Sequence, residues 1–345
     1  MSRLNRRALG CAGVLASIGA AAGALAAAPA QPEGATPELL QELKAVRHKI
    51  AYETFRDGSW EICLSNADGS KPVNLTKTPD VDELYPKASP DGRRIAFVAD
   101  EGKGREKTRN LYVMNVDGTG RAKVAGNARE PCWSADGRTL AFLKGEFSRF
   151  ELMDFATKGI FEFDLKGGPV RPHPNAAIQH LYCLNESPDG RWFVATVHGG
   201  MGFKHANLAL EAAGDKVFNL ELEGCRPDLS PDGKRIAWGH GDWCIGVADL
   251  DLSGPVPKAS DIHNAVENRD PMKTYHADWS PDGRYLAFST GDKLEGKTVG
   301  GAPELPGVKA PGWNICVADA AKKNRWVAIT LDGASCKEPD WVPVR

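Results

Sequence analysis

Short apolar runs of strand length, separated by tight polar turns, recur along most of this chain. Thr139–Phe142 follows an Asp-Gly pair, and Glu130–Trp133 precedes the same pair. Such runs predict β-strands, and an Asp-Gly pair between two of them predicts a hairpin turn. Asn110–Asn115 then predicts a third strand and Arg121–Val124 a short, polar fourth strand. The pattern therefore predicts an all-β protein built from four-stranded units.

One phrase, Ser-x-Asp-Gly followed by an apolar strand, occurs in five complete copies. The copies are SPDGRRIAF from Ser89, SADGRTLAF from Ser134, SPDGRWFVA from Ser187, SPDGKRIAW from Ser230 and SPDGRYLAF from Ser280. Their aspartates are 45, 53, 43 and 50 residues apart. This period is typical of the four-stranded blades of a β-propeller.

The two ends of the chain each carry part of a sixth copy. Glu338–Trp341 repeats the first strand of the unit, while Lys49–Tyr52 repeats the second and Trp60–Leu64 the third. A ring of sheets that shares one blade between the chain ends leaves fewer exposed strand edges. We therefore expect a six-bladed β-propeller that is closed by pairing of the C-terminal strand with the N-terminal blade.

The phrase, with a Trp before it in several copies, resembles the repeat of the TolB-like propeller family over about residues 48–345. The resemblance implies the six-bladed fold for this region. Residues 31–47 contain a short amphipathic segment, Glu38–Lys44, which we expect to form a linker or helix. This stretch is too short for the N-terminal α/β domain of TolB, so the resemblance covers the propeller only.

Residues 1–30 have the composition of a secretory signal peptide. Arg3, Arg6 and Arg7 precede an apolar, alanine-rich stretch that ends near Ala28–Ala30. Small residues at that point favour cleavage, and the Arg pair leaves export by the Sec or the Tat route open. We expect a periplasmic or secreted protein with no stable membrane span after cleavage. A net charge of -2 without a long basic run disfavours nucleic-acid binding.

Register alignment predicts which side chains surround one end of the central channel. In a propeller the innermost strands begin at this end, which we call the mouth face, and the loops between second and third strands open there. The aligned positions are Tyr85, Glu130, Cys183, Arg226, His276 and Glu338. We expect ligand contacts from Tyr85, Glu130, Arg226, His276 and Glu338, with His240 and Trp313 added by nearby loops. No residue is assigned to catalysis or to a metal.

An insertion from Ser289 to Trp313 contains Gly291–Thr298, which fits the P-loop pattern. A P-loop requires a following helix whose amides bind phosphate, and Val299–Pro303 is a poor helix start. We therefore expect no nucleotide binding and interpret the insertion as a lid or a partner-contact loop.

Seven cysteines follow the signal region, and none forms a Cys-x-x-Cys pair. An odd number leaves at least one thiol unpaired within the chain, and the spacing disfavours a structural zinc site. We expect no cofactor, although a divalent metal is left open.

Two classes of function fit these features. The first is an exported, non-catalytic propeller that binds a protein, peptide or glycan on its mouth face, including a scaffolding role in an envelope complex. The alternative is a metal-assisted lyase or hydrolase that acts on an acidic sugar, using His276, Glu130 and Glu338 with His240 nearby. The sequence favours the first hypothesis.

Overall fold

The structure is a computed structural model that describes residues 30–294 and 302–345. The predicted signal peptide, except Ala30, and residues 295–301 of the long insertion lie outside the described residues. Within the described part of the chain, strands β1 to β24, numbered along the chain, form six four-stranded antiparallel sheets. No helix found in this part is long and apolar enough to cross a membrane. The predicted six-bladed β-propeller is confirmed.

The first three blades follow the chain from its N-terminal side. Blade 1 contains β1 (Lys49–Arg56), β2 (Ser59–Asn66), β3 (Val73–Asn74) and the last strand of the chain, β24 (Ser335–Val342). Blade 2 contains β4 (Asp82–Ala88), β5 (Arg94–Glu101), β6 (Thr108–Asn115) and β7 (Ala122–Gly126). Blade 3 contains β8 (Ala128–Trp133), β9 (Thr139–Gly145), β10 (Thr157–Asp164) and β11 (Arg171–Pro172).

The remaining three blades complete the ring. Blade 4 contains β12 (Leu181–Glu186), β13 (Trp192–Gly200), β14 (Phe203–Glu211) and β15 (Val217–Asn219). Blade 5 contains β16 (Cys225–Leu229), β17 (Arg235–His240), β18 (Cys244–Asp251) and β19 (Lys258–Glu267). Blade 6 contains β20 (Met272–Trp279), β21 (Tyr285–Asp292), β22 (Asn314–Asp319) and β23 (Trp326–Ala328).

Blade 1 joins the two ends of the propeller, as the split sixth repeat predicts. Strand β24 is its innermost strand and pairs with β1 from Lys49 opposite Val342 to Phe55 opposite Ser335. All eight residues of β24 are buried. The closing strand is therefore part of the core rather than a surface appendage.

A short helix, α1 (Leu39–Leu43), precedes blade 1, and a 3₁₀ turn (Gly104–Glu106) lies between β5 and β6. Leu39 and Leu43 are both fully buried and pack in a cluster with Val327 and Trp341. The helix therefore covers apolar surface where the first and last parts of the propeller meet.

The repeated Ser-x-Asp-Gly phrase forms the same hairpin turn in all five complete copies. The serine hydroxyl donates to the aspartate carboxylate at 2.6–2.8 Å. The same serine oxygen accepts the backbone N–H five residues later, at 2.9–3.0 Å. The glycine has a φ of 67–69°, a left-handed conformation that glycine adopts without steric cost. These bonds explain why this phrase recurs once per blade.

Two of these turn glycines, Gly92 and Gly137, allow the packing next to the closing strand to be tested separately from the effect of a positive φ. A Cβ added at Gly92 would lie 1.8 Å from the carbonyl oxygen of Pro343, just after β24, whereas one at Gly137 meets nothing closer than 3.6 Å. We expect Gly137→Ala to cost about 1 kcal/mol of unfolding free energy through its positive φ alone. Gly92→Ala is expected to cost roughly 1–3 kcal/mol more, because the chain next to the closing strand must move. Urea unfolding monitored by tryptophan fluorescence measures both, and equal losses would contradict this packing.

Candidate functional site

The innermost strand of each blade contains a β-bulge at one equivalent residue. These residues are Tyr85, Glu130, Cys183, Arg226, His276 and Glu338, with φ values from 49° to 61°. The pairing register shifts at this point in all six strands. Left-handed conformations are uncommon for residues other than glycine, and bulges of this kind redirect a side chain. The six positions aligned from the sequence therefore share one backbone conformation at the mouth face.

Side chains of the preceding blades hold several of these bulges. Glu53 accepts the backbone N–H of Tyr85 at 3.2 Å, and Glu130 accepts that of Cys183 at 3.0 Å. The hydroxyl of Thr196 accepts the N–H of Arg226 at 2.8 Å. The strained backbone is thus stabilised by hydrogen bonds between blades.

Arg226 is the centre of a buried ionic cluster. Its guanidinium donates to Asp154 through Nη2 and to Glu338 through Nη1, the latter at 3.0 Å. His276 Nε2 lies 3.0 Å from the same Glu338 oxygen. Tyr182 packs its ring against the guanidinium, at 5.5 Å from the ring centre. The cluster connects β16, β20, β24 and the loop that contains Asp154.

Burial and neighbouring charges shift the pKa values of these groups in different directions. Burial alone raises the pKa of Glu338, but His276 and Arg226 outweigh it and bring the value to about 2. Burial raises the pKa of Glu130 to about 7, and the charge of Asp154 acts in the same direction. Burial also lowers the pKa of His276, while the charge of Glu338 opposes this shift. A carboxyl that titrates near pH 7 could exchange a proton with a bound polar group.

Several polar atoms of the cluster lack a hydrogen-bond partner among residues 30–294 and 302–345. They are Tyr85 Oη, Glu130 Oε1 and both ring nitrogens of His276, whose approach to Glu338 lacks the alignment of a hydrogen bond. Buried polar groups are nearly always paired, and unpaired ones often mark functional positions. The structure thus brings five predicted site residues together, but all five are less than 10% exposed. They form a buried cluster rather than an open mouth.

The first cover of this cluster is the loop of residues 146–156, between β9 and β10. Arg129, itself 2% exposed, donates to the carbonyl oxygens of Met153 at 2.5 Å and Glu151 at 2.6 Å. Asp154, which binds Arg226, is 2% exposed and belongs to the same loop. Buried arginines therefore fix both the backbone and one side chain of the loop.

The second cover consists of residues 302–312, from the described part of the long insertion. Lys337 in β24 donates to the carbonyl oxygens of Pro303 at 3.2 Å, Val308 at 2.7 Å and Leu305. Trp60 donates its indole N–H to the Gly307 carbonyl at 3.1 Å. Burial lowers the pKa of Lys337 to about 8, while the charge of Glu53 opposes this shift. These hydrogen bonds hold the segment over the mouth in a closed position.

The other two predicted ligand contacts, His240 and Trp313, have structural surroundings of their own. His240 Nδ1 lies 2.8 Å from the Asn264 side-chain oxygen, and its ring lies beside Trp238. Trp313 is fully buried, packs with Tyr275, and donates its indole N–H to the Asp292 carbonyl at 3.1 Å. Neither residue contacts the Arg226 cluster, and Trp313 exposes no surface to a ligand in this structure.

The described residues show no obvious metal-binding site. There, no three His, Cys, Asp or Glu side chains are grouped so that they could hold a metal ion. All seven cysteines of the described region, from Cys63 to Cys336, are free thiols.

A second set of channel residues lies two positions after each bulge, towards the end where the Ser-x-Asp-Gly turns lie. We call this end the turn face. The set is Lys87, Cys132, Asn185, Asp228, Asp278 and Asp340. These residues line a cavity of about 490 Å³ that also contacts Trp133, Trp279 and Trp341. The residues predicted from the sequence did not include this set, although a step of two residues along each innermost strand points to the same channel.

Asp154 and Lys337 were also missed. Asp154 belongs to the loop between β9 and β10, whose sequence is not repeated in the other blades, so no repeat alignment could place it beside Arg226. Lys337 directly precedes the aligned Glu338, and its buried position becomes evident only when β24 is known to be an inner strand with covers above it.

Comparisons with known proteins extend the account. No protein-family model matches the sequence. Over 99 residues the chain is 33% identical to the Tol-Pal system protein TolB of Alcanivorax borkumensis, a match that covers 27% of this chain and 22% of that protein. Over 69 residues it is 33% identical to dipeptidyl-peptidase 5 of Porphyromonas gingivalis, covering 19% of this chain and 10% of that one. The matches thus span less than a quarter of either relative.

Solved structures match the chain over most of its length. TolB of Acinetobacter baumannii superimposes with a TM-score of 0.63 at 18% identity, covering 86% of this chain and 67% of that one. A chain of the Nidogen/Laminin complex superimposes with a TM-score of 0.57 at 10% identity, covering 86% of this chain and 98% of that one. Similarity at these identities concerns the fold. The chain is a six-bladed β-propeller with the TolB-like fold.

Proposed function

We propose that this chain is an exported, non-catalytic propeller that binds a protein partner on its mouth face. The observation that carries the proposal is the surface of the 146–156 loop. Phe147 and Met153, 41% and 36% exposed, are large apolar side chains on this one loop. Loops on a rigid scaffold often carry binding residues, and large exposed apolar side chains on such a loop suit contact with a partner.

The loop is held rigidly below its exposed side. Arg129 fixes the carbonyls of Glu151 and Met153, and Arg226 binds Asp154 from beneath. Phe150 lies over the ammonium of Lys107, 4.6 Å from its ring centre. A surface that is ordered before binding loses little conformational entropy when a partner docks. This rigidity supports a binding role for Phe147 and Met153.

The alternative of a metal-assisted lyase or hydrolase receives less support. It needs Glu130, His276 and Glu338 to reach a sugar, and these side chains lie beneath the two covers. Opening the second cover would break three hydrogen bonds from Lys337 to backbone carbonyls. Hydrogen bonds from a buried charged donor are among the stronger ones in proteins.

Two of the matched proteins work in assemblies. The TolB relative belongs to the Tol-Pal system, and the nidogen structure is a complex with laminin. Both support a protein rather than a glycan as the partner class, and a partner that presents apolar side chains fits Phe147 and Met153.

Photo-crosslinking tests the partner surface directly. Benzoylphenylalanine at position 147 of the full chain, in envelopes of the producing cells, is expected to give a discrete protein adduct. The same probe at Ile262, which is 52% exposed on the outermost strand β19, provides the matched control and is expected to give none.

A charged residue at position 153 separates specific from incidental adducts. Met153→Asp is expected to reduce the adduct at position 147 by about tenfold, because burying an unpaired carboxylate opposes docking. Ile262→Asp is expected to leave it unchanged. Equal adducts at positions 147 and 262, or an adduct that survives Met153→Asp, would overturn the proposed surface.

Export has its own test. A fusion of residues 1–35 to alkaline phosphatase, an enzyme that gains activity through disulfides formed outside the cytoplasm, is expected to be active. Deletion of residues 8–27 is expected to abolish this activity, because it removes the apolar stretch that export requires. Activity that persists after the deletion, at equal protein level, would contradict export through this segment.

A further inference from the structure

The cavity at the turn face is independent of the proposed partner surface and differs from it in chemistry. Its volume of about 490 Å³ lies within the range of small-molecule sites. Prolines of the repeated turns and three tryptophans form its walls. Each of these tryptophans packs against a cation or an aromatic ring. Arg94 lies 5.0 Å from the ring centre of Trp133, and Arg235 lies 4.3 Å from that of Trp279. Tyr285 stacks on Trp341. The walls are therefore preformed.

The floor of the cavity has more acidic than basic groups. Lys87 Nζ lies 3.1 Å from Asp340 and 3.6 Å from Asp278, so one ammonium serves two carboxylates. No cationic side chain of the described residues lies within 4.0 Å of the third carboxylate, Asp228. The half-buried Glu186 also lines the cavity. Among the described residues, Lys87 is therefore the one cation within 4.0 Å of any of these three aspartates.

Backbone contacts hold the three aspartates in place. Asp228 accepts the N–H of Trp279 at 2.8 Å, Asp278 that of Trp341 at 2.7 Å, and Asp340 that of Ala88 at 2.7 Å. Each bond uses one carboxylate oxygen and connects two blades. The carboxylates therefore cannot turn away from one another to relieve their repulsion.

Burial and the neighbouring carboxylates raise the pKa values of these acids. Burial raises the pKa of Asp228 to about 6, although Lys87 lowers it. Burial raises the pKa of Asp278 well above its ordinary value, and the charges of Asp340 and Asp228 add to this shift. Burial and mutual repulsion thus oppose the charged forms of these acids, and a bound cation would favour them.

Two buried donors provide a second, independent indication of a ligand. The indole N–H groups of Trp279 and Trp341 have no partner in the described residues, and each side chain is 4% exposed. The equivalent donor of Trp133 is satisfied by the Lys87 carbonyl at 2.8 Å. Unsatisfied buried donors are costly, and both Trp279 and Trp341 line the cavity.

The opening of the cavity has the opposite charge to its floor. Arg47, His48 and Arg345 contribute to the lining at this end of the chain. Guanidinium groups bind carboxylates with two parallel hydrogen bonds. A ligand with a positive head and a negative tail therefore matches the floor and the opening together.

We propose that the turn-face cavity binds a small amino-carboxylate zwitterion, such as an amino acid or a very short peptide, with its ammonium at Asp228, Asp278 and Asp340 and its carboxylate towards Arg47 and Arg345. The aspartates supply the charge for the ammonium. The tryptophan walls contact the apolar part, and aromatic faces add to the attraction for the cation.

Three probes of equal chain length separate the two ends of the site. Isothermal titration of the propeller with 6-aminohexanoate is expected to show binding, hexylamine weaker binding, and hexanoate none. Binding of hexanoate alone, or no binding of either amine, would overturn the proposal. Stabilisation by calcium alone would also overturn it and would assign the acids to an inorganic ion.

Variants locate the ammonium and the carboxylate. Asp228→Asn keeps an oxygen for the backbone N–H of Trp279 and breaks no ion pair. It is expected to weaken the binding of 6-aminohexanoate about tenfold. Asp57→Asn removes the same charge from an exposed hairpin turn and is expected to have no effect. Arg47→Gln is expected to reduce the preference for 6-aminohexanoate over hexylamine, which keeps the proposal testable if Asp228→Asn fails to fold. Equal affinities in all three variants and the parent would contradict this site.

Discussion

The pairing of β24 with β1 is the interaction on which the rest of this structure depends. It turns a row of sheets into a ring, so that each blade packs between two others. It also inserts Lys337 and Glu338 into the channel, where they anchor the second cover and the Arg226 cluster. At the turn face, Asp340 of the same strand bonds to Ala88 of blade 2. Without closure, both ends of the channel would lose essential residues.

The fold could be predicted from the sequence because a blade is a local unit repeated in register. The Ser-x-Asp-Gly turn needs its serine, aspartate and glycine for identifiable hydrogen bonds and a positive φ, so its recurrence is readable. The same register placed Tyr85, Glu130 and His276 at equivalent bulges. Periodicity does not report burial, however, and these residues were expected to contact a ligand.

What the sequence could not reveal comes from parts that do not repeat. The 146–156 loop belongs to one blade, and no alignment indicates that Asp154 reaches Arg226 across the channel. Trp313 was assigned to a ligand because it lies in a long insertion, but Gly291 leaves room for its ring in the core. The same repeat register could have predicted the acids of the turn face, but only the cavity in the structure shows that they converge.

The two ends of the channel therefore have different physical characters. At the mouth face, buried cations use their hydrogen bonds to hold two covers, one of which exposes Phe147 and Met153. At the turn face, an acidic floor lies inside a preformed aromatic wall. One scaffold thus has a covered, ion-rich channel end on one face and a small cavity with an acidic floor on the opposite face.

Native-state hydrogen exchange tests the closure most directly. If the ring is one cooperative unit, amides of β24 and β1 should exchange with the same free energy as global unfolding, since β24 can separate only when the propeller opens. Matching values for Trp341, which pairs with Ile50, and for interior amides of β13 would support this account. Exchange of the β24 amides at a clearly lower free energy would show that the last strand detaches alone, and would contradict it.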